Sequence, residues 1–198
     1  MIHQPVFSTI ISIASYENNE EEAEKLTPYC LNLEKTKRKD IRTDWISKNT
    51  FNTLGTLDIG KEDKFKDINN WVFEQVEIYR KTVGYLNPMK YQQGWFNVYK
   101  KYDFQEYHHH SKCFISAIYF LNSNENNAKV FFKSPTNMIV NRPNPNQGNP
   151  FTWDKVIYKP IQGNLIIFPA HLEHCVEQQE NDDIRISLAY NFDLCLEN

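Results

Sequence analysis

Five of the six histidines in this 198-residue chain fall in two clusters: His108, His109 and His110, then His171 and His174, with His3 apart. In an extended strand, residues i and i+2 project from one face. That spacing predicts that His108 and His110 converge while His109 points away. His174 follows His110 by 64 positions, on what reads as a later strand. Two ligands from a short motif and a third from a distant strand can occupy one face of an octahedral metal. The remaining positions stay open for a substrate and dioxygen, as in facial-triad iron sites. On spacing alone, a surface run of histidines that picks up metal without catalysis is the plainer alternative.

A second set follows the third histidine. Arg185 comes 11 positions after His174, and Ser187 shares its strand face. A guanidinium offers two donors to a carboxylate in a fixed fork, and a serine hydroxyl adds a third. The pair suits the seat of a dicarboxylate near a metal. A structural ion pair at Arg185 is the alternative.

These residues need strands to hold them. From Gln92 onward the chain reads as short strands separated by turns: Gly94 to Tyr99, Phe114 to Leu121, Lys129 to Lys133, Val156 to Tyr158, Asn164 to Phe168, His174 to Val176 and Ile184 to Phe192. Gln162-Gly163 marks a turn, and residues 134–150, rich in Asn and Pro, read as a long loop. Such a series implies a sandwich or barrel. Before it, Val6 to Ile13 reads as a leading strand, and Glu20 to Leu33 as a helix interrupted at Pro28. Asp67 to Val83 is the clearest helix, with Asp67 as cap and Ile68, Trp71, Val72, Val76, Ile78 and Tyr79 as its apolar face. The expected whole is one mainly β domain over residues 1–198. Residues 1–90 supply a strand and supporting helices, and residues 91–198 the catalytic core.

Composition narrows the class. A net charge of −3 and a pI near 6.1 argue against a dedicated nucleic-acid binder. An aromatic content of 14% argues for a packed core. The four cysteines form no C-x-x-C pair, so a zinc site through them is not expected. The N-terminus lacks a secretory pattern, and its best apolar run is too short to span a bilayer. The expectation is a soluble cytoplasmic protein with reduced thiols and no membrane partner. An oligomer is left open.

Taken in order, Trp95-Phe96-Asn97-Val98, Asp103 to His110, Ser116 to Leu121, Gly163 to Pro169, His174-Cys175-Val176 and Arg185-Ile186-Ser187 resemble the 2-oxoglutarate and iron(II)-dependent dioxygenase superfamily. Within it the chain is similar to uncharacterised oxygenases of marine bacteria and their phages, which implies a host cytoplasm if the gene is phage-encoded. The ordered match spans about the last half of the chain, and Val6 to Thr9 resembles that group's opening. The resemblance implies a double-stranded β-helix, a jelly roll of cupin-like form, with N-terminal helices supporting it. It implies iron(II) on His108, His110 and His174, and 2-oxoglutarate with its far carboxylate on Arg185 and Ser187. Asn97 and Tyr99 match an Asn-x-Tyr pair that touches the co-substrate in some members. As plain strand residues they would carry no such role.

Two positions depart from the superfamily's pattern. His110 stands where a carboxylate is usual, so the three ligands would all be neutral imidazoles. Glu106, two residues before His108, makes Glu106, His108 and His174 a rival triad. Phe120 stands where related hydroxylases often have a co-substrate-contacting tyrosine, and Tyr119 should face the other way. The implied reaction is oxidative decarboxylation of 2-oxoglutarate to succinate and carbon dioxide, coupled to hydroxylation by dioxygen of an unidentified peptidyl or small-molecule substrate. The loop over 134–153 could serve as a lid or as a passive connector, and Phe151 and Trp153 could stack on a substrate or simply pack. A cupin-like metalloenzyme that does not use 2-oxoglutarate, and a non-catalytic β-sandwich, are the competing readings.

Overall fold

The computed structural model describes residues 1–2, 8–37, 45–135 and 153–195. Among the described residues, ten strands form two antiparallel sheets. The major sheet has the order β1-β8-β5-β10-β3-β2 and the minor sheet β4-β9-β6-β7. The strands are β1 Ser12–Ser15, β2 Phe51–Asn52, β3 Met89–Tyr99, β4 Gln105–His108, β5 Ile115–Asn122, β6 Val130–Lys133, β7 Lys155–Tyr158, β8 Asn164–Pro169, β9 His174–Val176 and β10 Arg185–Leu194. Two facing sheets with long-range antiparallel pairing give the expected jelly roll.

The central strands are buried on both faces, and alternation sorts their side chains. Ile186, Leu188, Tyr190 and Phe192 of β10 join a core shared with the helices, as do Phe96 and Val98 of β3 and Tyr119 and Leu121 of β5. Tyr99, Ile118, Phe120, Phe132, Ile166, Phe168 and Val176 form a second core between the sheets. Tyr119 therefore faces the helices, against Tyr16 and Trp71, while Phe120 faces the sheet interior.

Helix α1, Asn19–Lys37, runs unbroken through Pro28. Its sheet-facing stripe is Glu22, Leu26, Cys30 and Glu34, while Pro28 lies exposed on the outer side, where water can satisfy the carbonyl left without an N–H. Packing of the inner stripe outweighs the missing bond. Helix α2, Lys66–Val83, starts at Phe65 with no side-chain cap; the short 3-10 turns Ile59–Lys61 and Asp63–Phe65 lead into it. Asp67 instead accepts from Lys25 at 3.2 Å. Ile68, Val72, Val76 and Tyr79 are buried as expected, but Ile78 is 51% exposed. Gly84 ends the helix at φ 84°, where a residue with a Cβ would be strained.

The first ninety residues do more than support the sheet, since they contribute β1 and β2 at its two edges. The leading strand covers Ser12–Ser15 rather than Val6 to Ile13: residues 8–11 are irregular, and 3–7 lie outside the described residues. Most of the expected loop over 134–153, with Phe151, also lies outside them.

Candidate metal and co-substrate site

A turn at residues 100–104 carries the chain from the major sheet to the minor one. Lys100 N donates to Asp103 Oδ2 at 2.8 Å, Tyr102 takes a φ of 72°, and Gln179 N donates to the Asp103 carbonyl at 2.8 Å. That crossing places β4 beside β9, with His108 directly opposite His174. β4 ends at His108, so strand alternation alone does not place His110. Its N–H donates to the Ala170 carbonyl at 2.8 Å, which holds the extended chain against the segment before β9.

Ring nitrogens of His108, His110 and His174 lie within 4.8 Å of one another, a spacing that could hold one metal ion. His109 is exposed. Nδ1 of His108 donates to the Glu106 carbonyl at 2.8 Å, and Nδ1 of His174 to the Leu172 carbonyl at 2.9 Å. A carbonyl only accepts, so both imidazoles carry their proton on Nδ1 and keep the Nε2 lone pair for a metal. Burial pushes the pKa of all three down: His108 is lowered, His110 falls to about 4, and His174 falls well below its ordinary value. The other imidazoles add to the last two shifts. The set is neutral at pH 7, as ligation requires. His174 is buried between Phe132 and Phe168.

The histidines open onto a cavity of about 580 Å³ between the sheets. Its far wall is built by register. On paired β10 and β3, Arg185 stands opposite Tyr99 and Ser187 opposite Asn97. All four are buried and face the cavity. The Arg185 guanidinium lies against the rings of Tyr99 and Phe120, at 4.5 and 5.3 Å from their centroids. None of its three nitrogens makes a hydrogen bond of normal geometry among the described residues. Burial lowers its pKa, with Tyr99 acting in the opposite direction, yet an arginine stays charged. Burying an unpaired cation costs several kcal/mol, and ring contacts of about 2 kcal/mol each offset only part. A site shaped this way suits an anion.

Glu106 lines the cavity but stands outside the histidine cluster. Its carboxylate accepts from Ile46 N at 2.9 Å and Ser47 N at 3.5 Å. Trp153 is exposed and is not part of the cavity wall.

Four further residues at the site were not anticipated. Asn191 hydrogen-bonds to the His110 ring and accepts from Ser116 Oγ at 2.8 Å. Trp95 stacks on His110 at 5.8 Å, and Trp45 on His108 at 6.4 Å. Asn191 has the parity of Arg185 and Ser187, and Trp95 that of Asn97 and Tyr99, so strand alternation could have found both. Trp45 sits in an irregular segment that carries no such signal.

The family model described as "Putative 2OG-Fe(II) oxygenase" matches residues 93–191, half of the chain. No curated protein matches at the sequence level. Among solved structures, a Pseudomonas putida prolyl-4-hydroxylase shares 14% identity and a TM-score of 0.61, over 93% of this chain and 92% of its own. HygX from Streptomyces hygroscopicus, with nickel and 2-oxoglutarate bound, shares 11% identity and a TM-score of 0.60, over 95% and 83%. The viral collagen prolyl hydroxylase of Paramecium Bursaria Chlorella virus-1 shares 10% identity and a TM-score of 0.58, over 92% and 94%. At these identities the likeness is one of fold. Together with the family match over β3 to β10, it makes this chain a member of the 2OG-Fe(II) oxygenases, enzymes that use iron(II) and 2-oxoglutarate.

Proposed function

We propose that the protein is a hydroxylase in which His108, His110 and His174 hold iron(II), while Arg185, Ser187, Asn97 and Tyr99 hold 2-oxoglutarate. The observation that carries this reading is the buried Arg185 guanidinium, which makes no hydrogen bond of normal geometry among the described residues and lies in the same cavity as the three imidazoles. The donor set fits the metal: three neutral nitrogens, two with the tautomer fixed by backbone carbonyls, suit a divalent first-row ion. The anion seat fits the co-substrate, because a guanidinium and a hydroxyl on one strand face can take both oxygens of a carboxylate.

When bound, iron and 2-oxoglutarate supply the oxidising chemistry, in which dioxygen converts 2-oxoglutarate to succinate and carbon dioxide while a C–H bond is hydroxylated. The protein's part is to bind, orient and exclude water. Arg185 and Ser187 fix one end of the dicarboxylate at a set distance from the imidazoles. Tyr99, whose pKa burial raises against the influence of Arg185, stays a neutral phenol and can donate to the same carboxylate. Phe168, Ile118 and Val176 keep the wall between these groups apolar. Four free cysteines support action in a reducing compartment such as the cytoplasm. The prolyl hydroxylases among the structural neighbours make a prolyl peptide the first substrate to try.

The test is succinate formation from 2-oxoglutarate by the iron-loaded protein, which should exceed the background without enzyme. Arg185→Ala should abolish it, because the anion loses its only buried cationic partner among the described residues, and metal uptake should be intact. Metal binding without any effect of 2-oxoglutarate would favour a cupin-like metalloenzyme of another chemistry.

A further inference from the structure

β4 is an outer strand of the minor sheet. An open edge of this kind usually needs cover, and here the cover is an irregular segment. Ile46 N and Ser47 N donate to the two carboxylate oxygens of Glu106, at 2.9 and 3.5 Å. Thr50 Oγ1 donates to the Phe104 carbonyl at 2.8 Å, and Ser47 Oγ donates to the same carbonyl. Ser47 and Thr50 are buried. The segment is thus bound to β4 and to the residue before it by bonds between side chain and backbone, where another strand would have paired backbone with backbone.

Glu106 joins this cover to the histidines. Its backbone carbonyl accepts from His108 Nδ1 at 2.8 Å, while its carboxylate holds the residues directly after Trp45. Trp45 lies over the His108 ring, 6.4 Å between centroids and 29° between planes, and lines the cavity. On the other side, Trp95 lies over His110 at 5.8 Å and 23°. Two indoles therefore flank the motif imidazoles, Trp95 from β3 and Trp45 from the irregular segment beside β4. An indole at this place offers a broad apolar face and no anionic group.

We propose that Glu106 is a positioning residue that holds Trp45 as a wall of the cavity beside the metal, and that it is not a metal ligand. The inference rests on the three-histidine reading of the site. Each carboxylate oxygen accepts from a backbone N–H group, Oε1 from Ile46 at 2.9 Å and Oε2 from Ser47 at a longer 3.5 Å, and Glu106 stands outside the histidine cluster. Those bonds set where the 45–50 segment lies, and hence where the indole lies.

Nickel(II) titration of the full chain, followed by tryptophan fluorescence, tests this, because a paramagnetic ion beside an indole quenches it. Trp45→Phe should remove a distinct part of the nickel-dependent quench while nickel affinity stays within about twofold. Glu106→Ala should show the same smaller quench, again at nearly unchanged affinity. The double variant should lose no more than either single one. Glu106→Gln keeps one carbonyl oxygen for Ile46 N–H and should recover most of the quench. A loss of nickel affinity in Glu106→Ala as large as in His108→Ala would make Glu106 a ligand and overturn the proposal. A full wild-type quench in Glu106→Ala would overturn it too, by showing that Trp45 does not depend on Glu106. Full nickel affinity in both His108→Ala and His174→Ala would overturn the three-histidine reading itself, and this inference with it.

Discussion

The charge state of single residues decides the chemistry of the cavity. Three imidazoles held neutral by burial stand near an arginine that cannot lose its proton. The metal-free protein should therefore depend on pH. His110 has a folded pKa of about 4 against an ordinary 6.5. An unfolded chain takes up a proton below 6.5 that the folded one refuses, so this stability is present above 6.5 and is lost as pH falls toward 4. The urea midpoint of the metal-free protein should be lower at pH 5 than at pH 7.5, and less so in His110→Asn; identical midpoints in the native chain would contradict this. Asn191 hydrogen-bonds to the His110 ring and is itself held by Ser116, which orients that imidazole. Asn191→Ala should weaken metal binding roughly tenfold to a hundredfold, measured by competition with a chelator, and Ser116→Ala less. The gathering of His108, His110 and His174 was expected from spacing, but β4 stops at His108, and it is the bond to the Ala170 carbonyl that holds the His110 segment in place. The orienting partners were not legible, because hydrogen bonding between Ser116, Asn191 and His110 depends on strands that only the fold brings together.

At the scale of elements, the major sheet, its central strands buried on both faces, carries the proposed anion seat. The pairing of Arg185 with Tyr99 and Ser187 with Asn97 makes that seat a property of register. A one-residue slip of β10 would turn Arg185 and Ser187 toward the helices, away from Tyr99 and Asn97. Helix α2 guards against such a slip by packing on the reverse face. Ile68→Ala, fully buried there, should cost roughly 2–5 kcal/mol in urea denaturation, with the metal site intact in the folded fraction. The strands from β3 to β10 were readable because β-branched and aromatic runs alternate with turn residues, as at Gln162-Gly163. The helix ends were less so. Pro28 does not stop α1, because the stripe on the opposite side packs on the sheet, and Asp67 leaves the cap to pair with Lys25. Tertiary contacts overrode local rules in both places.

For the whole molecule, no helix among the described residues is long and apolar enough to cross a membrane. Helices on one face of the major sheet and the minor sheet on the other leave, among the described residues, a cavity with the three histidines in one part and the Arg185 guanidinium in another, which we propose as metal site and anion seat. That joint arrangement is the central claim. Its most direct test is calorimetric titration of 2-oxoglutarate, without oxygen, into the protein loaded with iron(II). The account predicts one 2-oxoglutarate bound per chain in the loaded protein, much weaker binding in the metal-free protein, and none in Arg185→Ala despite full metal content. Iron bound at His108, His110 and His174 with no 2-oxoglutarate binding, or equal binding in Arg185→Ala, would contradict it.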